Sequence, residues 1–126
     1  MRDWVRPRDG RLMLVDERTH AVVAMRVDLA TTRRARRMGL LGRERLDADA
    51  ALVLAPCLAI HTAFMRFPID IAFVDRRGRA VRLVHDLAPW RMAVAPRAYA
   101  AIELAAGVLR RHEVDLGDRF ELVSLD

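Results

Sequence analysis

The sequence lacks several features that would assign it to particular classes of protein. It contains one cysteine, Cys57, so an internal disulfide is impossible and the disulfide framework of small secreted proteins is excluded. The longest uncharged apolar stretch covers residues 50–60, whereas a membrane-spanning helix needs roughly 20 apolar residues. Residues 1–10 hold no apolar segment of the kind found in secretory signals. We therefore expect a cytoplasmic protein with no transmembrane segment and no membrane partner.

The motifs of several common activities are also missing. The chain has no phosphate-cradling glycine loop, no GxSxG nucleophile elbow, no HExxH zinc motif and no CxxC pair. Nucleotide binding and the common hydrolase mechanisms are therefore disfavoured. Since no segment repeats or shows the composition of a linker, we expect residues 1–126 to form a single domain.

Lysine, asparagine and glutamine are absent, and all 22 basic residues are arginine. The net charge of +5 is uneven, because residues 1–45 hold 12 arginines and 6 acids, whereas residues 46–126 hold 10 arginines and 11 acids. One alternative function is therefore weak binding to nucleic acid or an anionic surface through Arg33–Arg45. That segment has no interleaved aromatic side chain for base stacking. We favour a solvated helix face and a coding bias toward arginine, and nucleic acid is a disfavoured partner.

Hydrophobic periodicity predicts that most of the regular structure is β-strand. Alternation from His20 to Leu29 indicates a half-buried strand, and residues 12–15 form a shorter antiparallel partner across a polar turn. Residues 70–74 and 80–87 flank a turn at Gly78 and carry the strongest hairpin pattern in the chain.

Three further strands are predicted at residues 51–55, 101–104 and 120–123, the first apolar throughout, as expected when both faces are covered. A short helix is predicted from about Thr32 to Leu41, and a helical turn within residues 107–113. The predicted class is mainly β (α+β). We expect an antiparallel sandwich or partly closed barrel of about six or more strands with one or two short helices.

Residues that interrupt apolar runs are candidates for a functional site, because buried polar groups need partners. The candidates for binding are Cys57, His61, Thr62, Met65, Asp70 and His85. Glu103 and Asp118 are isolated acids for which we predict a structural role. The leading hypothesis is a polar-lined cleft that binds a small molecule or a protein partner. The sequence makes no prediction of oligomeric state.

Cys57 and His61 have three interpretations: a nucleophilic pair, two metal ligands or a structural pair. Four residues span about 13 Å in a strand but about 6 Å in a helical turn, so the local backbone decides among them. An enzyme using Cys57 and His61 is the second alternative function and needs a thiol whose pKa is lowered by a nearby cation. Because a lone cysteine in an apolar run more often acts as a small hydrophobe, we do not expect an enzyme. The four histidines are scattered, and neither a metal nor another cofactor is predicted.

The segment HTAFMRFPIDIAFVD, residues 61–75, resembles the core motif of a small prokaryotic family known as domain of unknown function 192. Three further motifs follow the order of that family: GLLGRERL at residues 39–46, IELAAG at residues 102–107, and Gly117 with Asp118. The resemblance covers about residues 20–123 and is closest to members with a His-Thr pair and an upstream cysteine. It implies a mainly β, sandwich-like fold and supplies no activity, substrate or catalytic residue.

Overall fold

The structure is a computed structural model that describes residues 4–5 and 10–125. Within these residues the chain forms ten strands and two short helices. In chain order they are β1 (Leu12–Asp16), β2 (Val22–Ala24), β3 (Arg26–Ala30), α1 (Arg33–Met38), β4 (Ala50–Leu54), β5 (Ala59–His61), β6 (Ile69–Val74), β7 (Ala80–Leu87), β8 (Met92–Val94), β9 (Ala100–Ala105), α2 (Val108–Arg111) and β10 (Phe120–Ser124).

The described strands form three sheets, and the largest of them is central. The central sheet has the order β3-β4-β9-β6-β7, in which only the β3–β4 pair is parallel. A three-stranded antiparallel sheet, β10-β1-β2, and a two-stranded ribbon, β5-β8, complete the fold. The predicted mainly β class is therefore confirmed. The sequence predicted either a sandwich or a partly closed barrel, and the described residues form packed sheets and no closed barrel.

The central strands are buried on both faces. On one face, Val53, Ala72 and Ile102 belong to a core that includes Leu14 of β1 and Leu109 of α2. On the other face, a second core is formed by side chains of β4, β5, β6 and β8 and of the segment after α1, among them Leu54, Ile60, Ile71, Phe73, Ala93 and Leu40. Because both faces exclude water, the side chains that point to either face from β4 and β6 are apolar, with the single exception of Asp70.

The structure confirms the predicted hairpin, since β6 and β7 pair antiparallel across the turn at Gly78. The prediction of one strand from His20 to Leu29 is wrong, because the chain changes sheets at Met25. The amides of Met25 and Arg26 both bond the carbonyl of Asp49, at 2.8 and 3.1 Å. These bonds direct β3 away from β1 and into a parallel pair with β4, where the sequence predicted only antiparallel pairing.

Helix α1 is shorter than predicted. The Thr32 hydroxyl accepts a hydrogen bond from the Ala35 amide at 3.0 Å and so caps the start of the helix. Gly39, at φ +45°, ends the helix by donating its amide to the Ala35 carbonyl, four residues earlier in the chain. In the part of the chain that the structure describes, neither helix is long or apolar enough to cross a membrane.

Gly78 generates a prediction about stability. It has φ +81°, and a Cβ at this position would lie 2.8 Å from the Phe120 carbonyl, which accepts the Trp4 indole N–H. Gly42 has almost the same φ, +82°, but open space around it. We expect Gly78→Ala to lower the free energy of unfolding by about 3 kcal/mol and Gly42→Ala by about 1 kcal/mol, measured by urea denaturation. Equal losses would show that backbone strain alone, without the close approach, determines the effect.

Candidate functional site

A cavity of about 320 Å³ lies between α1, the segment from Pro56 to His61 and the second face of the central sheet. We call it the Glu103 cavity. Its apolar wall includes Leu54, Ile60 and Met65. Its charged or hydrogen-bonding side chains are Arg33, Arg36, Arg37, Cys57, His61 and Glu103. The volume lies at the small end of the range found for small-molecule sites, roughly 300–1,000 Å³.

Glu103 lies in the middle of β9, the central strand of the five-stranded sheet. Its two cross-strand neighbours are Leu52 of β4 and Ile71 of β6. Since directly opposed side chains in a sheet have Cβ atoms about 5 Å apart, the carboxyl group is flanked on both sides by apolar side chains. Nothing in β4 or β6 at this level offers it a hydrogen bond.

The Glu103 side chain is the one buried acid of the cavity lining, with 3% of its surface exposed. Its Oε1 atom is buried and has no hydrogen-bond partner among the residues that the structure describes. Burial raises the pKa of Glu103 from its ordinary 4.5 to about 7, against a smaller opposing effect of Arg43. Around neutral pH the cavity therefore contains a carboxyl group divided between its protonated and ionised forms.

The arginines lie at the outer side of the cavity. Arg36 is held in place by its Nη1, which donates to the carbonyls of Thr31 at 2.7 Å and Ala55 at 3.4 Å. Arg33 and Arg37 are exposed, and within the described residues neither forms an ion pair. Helix α1 thus presents positive charge at the opening, above a buried acid.

Cys57 and His61 both line the cavity but form no reactive pair. The segment that joins them contains no helical turn, and His61 ends strand β5. The Cys57 thiol donates a hydrogen bond to the Ala59 carbonyl at 3.2 Å. Burial, together with nearby Glu103, raises the pKa of the thiol. At neutral pH Cys57 is therefore a protonated thiol, which is a poor nucleophile.

Three predicted binding residues lie elsewhere. The Thr62 hydroxyl donates to the Ala88 carbonyl at 2.7 Å and accepts from the Arg91 amide at 2.9 Å, joining the loops after β5 and β7. His85 is half-buried on β7, and its Nδ1 has no partner among the described residues. Neither residue lines the Glu103 cavity, and the third, Asp70, faces the opposite side of the sheet.

Asp70 is fully buried and accepts three backbone hydrogen bonds. Its Oδ1 accepts from the Asp86 amide at 2.9 Å, and its Oδ2 accepts from the amides of Gly107 and Leu109 at 3.1 and 3.0 Å. All three donors are backbone N–H groups. The two at the start of α2 fix that helix to β6, and the third, from Asp86, belongs to β7.

Asp118 also lies outside the cavity. Burial alone would raise its pKa, but hydrogen bonds from Arg18, at 2.7 and 3.2 Å, outweigh that effect and lower the pKa to about 2. Its neighbour Asp16 has a pKa raised by burial to about 6. The three residues join the turn after β1 to the turn before β10. Among the described residues, no group of three or more histidine, cysteine or acidic side chains is arranged to hold a metal ion.

From the sequence we predicted a structural role for Glu103 and a solvated face for the arginines of α1. The one feature of the sequence that marks Glu103 as a candidate site residue is its position as a lone acid within the apolar run Ala100–Ala105. Which face of the sheet that acid occupies depends on the neighbouring strands, and the sequence does not order them. The contribution of α1 to the cavity likewise depends on how the helix packs.

The model of the family described as DUF192, "Uncharacterized ACR", matches residues 14–122. Two solved structures are similar in fold. A protein of unknown function from Novosphingobium aromaticivorans shares 22% identity at a TM-score of 0.76, over 93% of this chain and 90% of its own. A Sinorhizobium meliloti protein described as a "putative transcription regulator" shares 19% identity at a TM-score of 0.77, over 92% and 98%. The comparison with curated proteins found no match.

The Asp70 contacts lead to a prediction. Asp70→Ala would leave three backbone N–H groups without their acceptor, and each unsatisfied buried donor costs about 1–3 kcal/mol. We expect a loss of about 3 kcal/mol in the free energy of unfolding, allowing for partial hydration. Asp28→Ala, which removes a carboxylate with 77% of its side chain exposed, is the control and should change stability by less than about 0.5 kcal/mol. A small loss for both variants would contradict the structural role.

Glu103 leads to a second prediction. A carboxyl whose pKa is raised on folding favours the folded state below its unfolded pKa, and this stability is lost as the pH rises through the folded pKa. Relative to Glu103→Gln, the wild-type protein should lose roughly 3 kcal/mol between about pH 4 and about pH 8.5. Urea denaturation of both proteins measures the difference, in which Asp16 and the other titrating groups cancel. Parallel pH profiles would show that Glu103 is solvated or paired.

Proposed function

Because this chain belongs to the DUF192 family, which is described as uncharacterized, we propose a function from the geometry of its own site: binding of a small organic molecule in the Glu103 cavity. The observation that carries the proposal is Glu103, which lines a cavity large enough for a ligand and whose buried Oε1 atom has no hydrogen-bond partner among the described residues. A bound molecule with a polar group at its inner end supplies that missing hydrogen bond.

A purely structural role for Glu103 explains these contacts less well. A buried polar group without a partner lowers stability by about 1–3 kcal/mol, and a leucine of similar size would remove that cost. Asp70 offers the contrast within the same sheet, because both of its carboxylate oxygens are satisfied by backbone amides. Perturbed carboxyl groups in clefts are characteristic of functional sites. We infer that the role of Glu103 is to form a hydrogen bond with a ligand.

The remaining lining suits a small, partly apolar molecule. Leu54, Ile60 and Met65 supply apolar surface, and Cys57 and His61 supply polar edges. Of the six binding residues predicted from the sequence, the proposal therefore retains Cys57, His61 and Met65 as contacts and adds Glu103. Thr62 supports the cavity indirectly, since its hydroxyl fixes the loop that follows β5.

The two alternative functions gain less from the structure. An enzyme that uses Cys57 as a nucleophile needs a thiolate, whereas burial raises the pKa of the thiol and keeps it protonated at neutral pH. Stacking of single-stranded bases beside the arginines needs exposed aromatic side chains, and α1 itself has the sequence RRARRM, so it offers only charge contacts to phosphate. A free thiol is compatible with a reducing compartment, and a cytoplasmic location remains part of the proposal.

The test uses three probes that share a phenol ring and differ in their para substituent: para-hydroxybenzyl alcohol, para-hydroxybenzylamine and para-hydroxybenzoate. The phenol hydroxyl can donate to or accept from Glu103. We expect at least one probe to bind with a dissociation constant of about 1 mM. Saturable shifts of the methyl NMR signals of Ile60 and Met65 would report binding within the cavity.

A cavity-filling variant provides the control. Ala59 lines the cavity, so Ala59→Trp should abolish the saturable shifts, whereas Ala48→Trp, at an exposed position outside the lining, should leave them unchanged. The proposal fails if none of the three probes shifts these signals, or if Ala59→Trp binds the probes as well as the wild-type protein does.

A further inference from the structure

The charge around the Glu103 cavity is asymmetric. Three arginines of α1 line its outer side, and the one acid among the described lining residues is Glu103 at its inner end. Helix α1 has no acidic residue in its first turn, and arginine occupies four of its six positions. The opening of the cavity is therefore strongly positive even though most of its wall is apolar.

Two arginines of α1, Arg33 and Arg37, are not neutralised by any acid among the residues that the structure describes. Arg33 and Arg37 are four residues apart, so their charges lie on the same side of the helix and repel each other. In the described part of the chain neither has an acidic partner, whereas Arg43 and Arg66 on neighbouring segments lie 4.0 and 3.7 Å from acids. An anionic group placed between Arg33 and Arg37 would replace this repulsion with two charge-assisted contacts.

We propose that the ligand of the Glu103 cavity is a small organic anion, whose charged group contacts Arg33 and Arg37 and whose apolar body extends inward to Glu103. This inference rests on the proposed function, since it names the class of molecule that the cavity binds. Two independent features support it: Arg33 and Arg37 at the opening, which have no acidic partner among the described residues, and the buried carboxyl of Glu103 at the inner end, whose Oε1 has no hydrogen-bond partner among them.

The position of Glu103 implies that an anion binds together with a proton. An ionised Glu103 would repel the ligand, whereas the protonated carboxyl can donate a hydrogen bond to it. Since burial places the pKa of Glu103 at about 7, anion affinity should fall as the pH rises through neutrality. A cationic ligand would show the opposite trend.

Several other charged or titratable groups surround Glu103, and their contributions must be separated from its own. From α1 and the segment after it these are Arg33, Arg36, Arg37 and Arg43, and from the segment before β6 they are Cys57 and His61. The adjoining strand positions, Leu52 and Ile71, carry no charge. A comparison of the wild-type protein with Glu103→Gln cancels every contribution except that of Glu103.

The experiment measures the affinities of the three phenol probes by NMR titration. We expect para-hydroxybenzoate to bind about tenfold more tightly than para-hydroxybenzyl alcohol at about pH 6, and to lose most of that advantage by about pH 8.5. Glu103→Gln should still bind the benzoate, with an affinity that no longer falls over this pH range.

Arginine variants test the other end of the ligand. A double Arg33→Gln and Arg37→Gln variant should bind the benzoate no better than the alcohol. Arg34→Gln removes the same charge from the same helix at a position outside the lining, and it should keep the preference. Equal or tighter binding of the alcohol or the amine would overturn the anion proposal and leave the cavity a ligand site. Failure of all three probes would instead overturn the proposed function itself.

Discussion

The central sheet is covered on both faces, and the rest of the structure depends on this constraint. β4, β6 and β9 lie between two apolar cores, so almost every side chain along them is buried whichever way it points. A polar group on such a strand has no route to water. It must find a partner inside the protein, or it must face a cavity.

Asp70 and Glu103 show these two outcomes on opposite faces of the same sheet. Asp70 accepts hydrogen bonds from two backbone amides at the start of α2 and from the Asp86 amide of β7, so both of its oxygens are satisfied. Glu103 meets the apolar side chains of Leu52 and Ile71 and an open volume. The same residue chemistry therefore produces a structural clamp in one place and a candidate binding group in the other, and the difference lies entirely in what the opposite layer presents.

Local sequence pattern was sufficient for β1, β4, β6, β7, β9 and β10 and for the turn at Gly78, because hydrophobic runs and turn residues act over a few positions. It could not order the strands. The break at Met25 results from hydrogen bonds to Asp49, 24 residues further along the chain. The ribbon formed by β5 and β8 contains three residues per strand, too few to show alternation. The family resemblance supported the mainly β class without adding detail on pairing.

The candidate site was also only partly predictable, because local sequence pattern acts over a few positions and does not order the strands. Cys57, His61 and Met65 are close in sequence and remain close to one cavity, whereas Thr62, Asp70 and His85 are directed elsewhere by contacts with distant loops and strands. Glu103 joins the first group only because β9 lies between β4 and β6. In a sheet with one solvated face, alternation would have indicated the direction of its carboxyl. When both faces are buried, the sequence does not alternate, so it does not indicate which face the Glu103 carboxyl occupies. That direction follows only from the order of the strands in the sheet.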